Sequence, residues 1–68
     1  MDKGNFKLIT YDGKITKGKD LTLKQMQDFV GGYIEYVGNV ICNGDGKMLK
    51  LPKNVVDSRF VGNIIIKE

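Results

Sequence analysis

Few side chains in this chain are equipped for covalent or acid–base chemistry. There is no histidine, so the commonest general base and metal ligand is missing. The single cysteine, Cys42, sits between Ile41 and a turn, with no cationic residue close in sequence. A reactive thiolate needs an electropositive, partly exposed setting, so Cys42 reads as a buried structural thiol. Glu35 stands between Tyr33 and Tyr36 on an expected strand. A lone carboxylate makes no acid–base pair, and an outward-facing strand position explains it. Asn43-Gly44-Asp45-Gly46 brings two polar side chains into a glycine-rich turn. An EF-hand would need a bidentate glutamate at its twelfth position, which here is Asn54. Nor does Gly44-Asp45-Gly46-Lys47 supply a phosphate-loop frame or a following helix. Turn chemistry accounts for all four residues. The expectation is no enzyme, no cofactor and no metal.

Binding chemistry has more to work with. Net charge is +3 and unevenly spread. Residues 1–24 carry six lysines against three aspartates, residues 25–46 carry no base at all, and residues 47–68 carry five bases against two acids. Lys14, Lys17 and Lys19 belong to a first hairpin, and Lys47, Lys50 and Lys53 surround a second. Were the hairpins to share an edge, these lysines would meet phosphates, with Tyr11, Tyr33 or Tyr36 stacking on bases. Edge strands also use lysine simply to stay unpaired. Exposed edges can instead accept a partner strand, or pair with a second copy. The candidate binding surface is where Tyr33, Glu35, Lys47, Lys50 and Lys53 meet.

These residues are positioned by elements whose signals are clear. Leu21 to Val37 reads as an amphipathic helix, a double-glycine stop and a returning strand. Thr22 with Gln25 forms a capping box, and Leu21 with Met26 forms a hydrophobic staple. Leu23, Met26, Phe29 and Val30 share a stripe, and Gly31-Gly32 ends the helix. Before it, Phe6–Tyr11 and Lys14–Lys17 flank the hairpin turn Asp12-Gly13, and Lys17–Asp20 reads as a polar connection. After it come strands at Tyr33–Val37, Val40–Cys42 and Lys47–Leu51, the last pairing back across the Asn43–Gly46 turn. Pro52 stops that strand. Asn54 caps one short helical turn, Val55–Phe60, and Asn63–Lys67 is the final strand. Its three consecutive isoleucines imply burial on both faces, hence a central place. The fold class is α+β: one helix on a mainly antiparallel sheet of about five to six short strands, β-grasp-like if the last strand lies in the middle.

Sixty-eight residues make one small domain, burying about 60% of its unfolded surface. No apolar run is longer than Ile64-Ile65-Ile66, far too short for a membrane span. MDKGNF has no apolar signal-peptide core, and one cysteine cannot staple a secreted fold, so a cytoplasmic location is expected. Lysine, isoleucine and asparagine abound while alanine is absent, the signature of an AT-rich bacterial or phage genome.

Residues 21–67 resemble a known pattern: Val30-Gly31-Gly32-Tyr33-Ile34-Glu35, then Asn43 with Gly46-Lys47, then Leu51-Pro52 with Asn54, then Gly62 before an apolar strand. It is similar to small proteins of phages, prophages and conjugative transposons that form a domain-of-unknown-function family. Members often carry acidic residues after the turn asparagine, whereas position 44 here is glycine. The resemblance brings no activity, cofactor or catalytic residue. It implies a bacterial mobile element as the setting. The expected function is a non-enzymatic accessory or interaction protein acting by protein binding, as a monomer or weak homodimer. The alternative is weak nucleic-acid binding through the hairpin lysines.

Overall fold

In the computed structural model, which describes residues 4–68, five strands and one helix follow one another as β1 (Asn5–Ile9), β2 (Ile15–Lys19), α1 (Leu23–Val30), β3 (Ile34–Val37), β4 (Val40–Asn43) and β5 (Ile64–Lys67). The strands form one sheet in the order β2-β1-β5-β4-β3, and every neighbouring pair runs antiparallel. The protein is thus a small α+β domain. The triple isoleucine takes the central place its apolarity demands, with Ile64 and Ile65 fully buried on opposite faces.

The helix forms where its caps dictate. The Thr22 hydroxyl accepts from the Gln25 backbone N–H at 3.1 Å, and the Gln25 side chain accepts from the Thr22 N–H at 2.8 Å. Such a cap contributes about 1 kcal/mol. At the other end Gly31 adopts φ 85°, a left-handed conformation that glycine enters without strain. The N–H groups of Gly31 and Gly32 both reach the Gln27 carbonyl. The buried stripe of α1, Met26 and Val30, packs with Leu21 on Phe6, Ile41 and Ile65, closing one face of the sheet. Leu23 points away and is half exposed.

The second face is covered differently. Ile9, Val40, Cys42 and Ile64 form its buried cluster, with Phe60 and Ile66 against it. Phe60 comes from residues 44–62, which make up all but the last residue of the long connection between β4 and β5. Here the structure departs from expectation. Lys47–Leu51 is not a strand, so the sheet has five strands and no second hairpin across Asn43–Gly46. Successive turns replace it: Leu49 N–H donates to the Asp45 carbonyl, Lys50 to Lys47, and Leu51 to Gly46. Lys50 sits at φ 56°, outside strand geometry. A Cβ on Gly46 would come within 2.7 Å of Val61 Cγ2, so the chain folds back too closely there for an extended run. The helical turn expected at Val55–Phe60 is absent as well. Asn54 Oδ1 does accept from the N–H groups of Val56 and Asp57, as a cap would. The Asn54 N–H then bonds the Phe60 carbonyl, closing a loop rather than starting a helix. Finally, β2 runs on to Lys19, so Lys17–Asp20 is mostly strand.

Candidate functional site

The connection 44–62 carries no helix or strand beyond one bridge between Lys53 and Val61. Structureless loops longer than about 12–15 residues are uncommon in compact domains and usually functional. Three asparagines pin this region to the sheet. Asn54, with no exposed surface, donates from Nδ2 to the carbonyls of Gly62 (3.0 Å), Thr10 (3.3 Å) and Ile9 (3.4 Å). Asn43 donates to the Val30 carbonyl at 3.0 Å, capping the helix end, and accepts from the Asp45 N–H at 2.8 Å. Asn63 joins the Phe29 carbonyl to the Tyr11 N–H. Val55 N–H adds a bond to the Tyr11 carbonyl, tying the connection to the first hairpin's turn.

Although its backbone is held this firmly, the connection turns large apolar side chains outward. Met48 is 80% exposed, Val55 69%, Leu49 57% and Val56 49%. Two grooves border it, each of ≈ 380 Å³. The first lies on the second sheet face, lined by Glu35, Val37, Cys42, Lys47, Phe60 and Val61, with Arg59 at its rim. Arg59 is held by Asp57, Nε to Oδ1 at 2.9 Å and Nη2 to Oδ2 at 2.6 Å, and lies 5.6 Å over the Phe60 ring. Its hydrogen bond keeps the Asp57 carboxyl below the usual aspartate range. The second groove follows the helix end, between Tyr33 and Leu49, with Asp28 and Asp45 beside it.

The five residues read from the sequence as a binding surface are thus divided. Glu35 and Lys47 share the first groove, whereas Tyr33 lines the second. Lys50 occupies its left-handed turn, and Lys53 its bridge. The first-hairpin lysines are elsewhere: Lys17 and Lys19 are on β2, with two strands between it and β4. Cys42 packs under the first groove, its thiol 3.7 Å from the Glu35 carbonyl. Burial first, and the Glu35 charge second, push the thiol up, so it stays protonated. Sequence reasoning missed Met48, Leu49, Val55 and Val56. The strand and helical turn expected there cover them, and no local signal turns them outward.

The fold and its loop define a small α+β domain with one long turn-built connection and no helix among the described residues long and apolar enough to cross a membrane. The family model of a domain of unknown function, DUF3846, matches residues 5–67, and the chain belongs to that family. Neither the curated proteins nor the solved structures yield a match. The motif residues Asn43, Gly46, Asn54 and Gly62 all act in building the connection 44–62.

Proposed function

We propose that this chain is a non-enzymatic accessory protein of a bacterial mobile element, acting in the cytoplasm by binding another protein through residues 44–62. The observation that carries this reading is the combination of a pinned backbone with outward Met48, Leu49, Val55 and Val56. Apolar side chains concentrated on a surface mark interaction sites. A backbone fixed in advance loses little further entropy on binding. Of the residues read from the sequence, Lys47, Lys50 and Lys53 lie within this connection, and Tyr33 shares a groove with Leu49. The mobile-element setting draws on the AT-rich composition and on the motif resemblance.

The test is affinity capture from a bacterial lysate by the immobilised chain, beside Met48→Asp and Val55→Asp. The expected result is a protein retained by the wild type and lost by both variants, each folded by circular dichroism. The same proteins on all three, or none on any, overturns the reading. A second reading, nucleic-acid binding through lysines, is favoured by the Val55–Tyr11 bond, which draws the segment bearing Lys53 to the first hairpin's turn.

A further inference from the structure

The β1–β2 register sets Lys7 directly opposite Lys17, with Lys19 opposite Asn5 one step along the same face. This is the second sheet face, because the next pair in that alternation is Ile9 with Ile15, and Ile9 belongs to its cluster. Lys7 is half-buried while Lys17 and Lys19 are exposed. Like charges directly opposite on neighbouring strands destabilise the sheet. Protection of an edge needs lysine on the edge strand alone, and β1 is an inner strand. Edge protection therefore accounts for Lys17 and Lys19 but not for Lys7. The ion pairs among the described residues are Lys24–Asp28 and Arg59–Asp57, so Lys7, Lys17 and Lys19 form none there, and Glu68, whose N–H bonds the Asn5 carbonyl, is an acid that borders them.

We infer that Lys7, Lys17 and Lys19 form a seat for the phosphate backbone of duplex nucleic acid, which would neutralise these facing charges. The inference rests on the second reading above and moves it from the loop lysines to the β1–β2 face. The β1 and β2 residues of this face are Asn5, Lys7, Ile9, Ile15, Lys17 and Lys19, none of them aromatic. Bases therefore find no stacking platform on these two strands, unlike in single-strand binders. A duplex, with its denser charge, suits three clustered ammonium groups best, and contact to backbone alone brings no sequence preference.

The experiment is fluorescence anisotropy with a labelled duplex DNA of arbitrary sequence, its single strand, and a duplex RNA, across a salt series. Three neutralised phosphates give a slope of log K against log salt of about −2.7. Both duplexes should bind more tightly than the single strand. Lys17→Glu should weaken duplex binding by about tenfold or more at low salt. The same substitution sets a glutamate opposite Lys7, so its melting temperature should rise. Replacing Lys47, Lys50 and Lys53 together with glutamine should weaken duplex binding less than Lys17→Glu does, since those lysines are outside this seat. The loop apolar variants test the protein-binding reading separately and should leave duplex binding unchanged. Undetectable duplex binding, unchanged affinity in Lys17→Glu, a melting temperature that falls in it, or binding abolished by the loop lysines instead would each overturn the inference.

Discussion

The two faces of one sheet are closed by different means. On one, α1 lays Met26 and Val30 onto Phe6, Ile41 and Ile65, and burial supplies the adhesion. On the other, residues 44–62 contribute mainly Phe60 to the cluster, and buried carboxamides supply much of the fixing. Hydrophobic burial is non-directional, so the helix can tolerate small shifts. Hydrogen bonds to a buried side chain are directional and costly to leave unmade, so the loop is held in one conformation or released. The loop face can then hold a shape while exposing apolar groups, which a purely hydrophobic cover cannot do without burying them.

Substitutions break this comparison in graded steps. The largest loss should come from Phe6→Ala, about 3–5 kcal/mol from the cavity it leaves. That rivals the whole stability of a domain this size, so denaturant titration should find it largely unfolded. Asn54→Ala should cost about 2–3 kcal/mol, since it strands buried carbonyls of Ile9 and Gly62. Its signature is local. Amide exchange should accelerate across residues 44–62 while the amides of α1 stay protected, and equal loss in both would erase the distinction between the faces. Thr22→Ala should cost about 1 kcal/mol and show only in α1.

Cys42 offers a chemical probe of the loop face. Its raised thiol should react with iodoacetamide at pH 8 more slowly than the unfolded chain does, and Asn54→Ala should speed the reaction. The smallest effect concerns Asp57, whose carboxyl is held low by the Arg59 hydrogen bond. A lowered folded value contributes stability above the ordinary aspartate range and loses it as pH falls. The urea midpoint of the wild type should therefore slightly exceed that of Asp57→Asn at pH 6, with the gap closing in acid.

Much of the helix face was legible in the sequence. The Thr22–Gln25 box, the Leu21–Met26 pair, the Gly31 stop and the central triple isoleucine all express local rules. The loop face was not legible, because Asn54 bonds residues 44 and 45 positions away in sequence, and no window of residues contains that partnership. Lys47–Leu51 follows a dense turn signal, as a returning strand would, yet Gly46 against Val61 and the left-handed Lys50 bend it away. The lysines are visible in the sequence as charges, but the Lys7–Lys17 pairing emerges only with the register.

Asn43-Gly44 is also a chemical clock. In a mobile chain an asparagine followed by glycine ages quickly, as the glycine nitrogen attacks the carboxamide carbon, expels ammonia and leaves a succinimide that opens to aspartate or isoaspartate. Here the carboxamide is fixed on the Val30 carbonyl, and the Gly44 nitrogen is engaged with the Tyr33 carbonyl at 2.9 Å. Attack requires both to let go. Isoaspartate at position 43 should therefore accumulate only in molecules that have opened there, leaving in each a permanent record of its time spent unfolded.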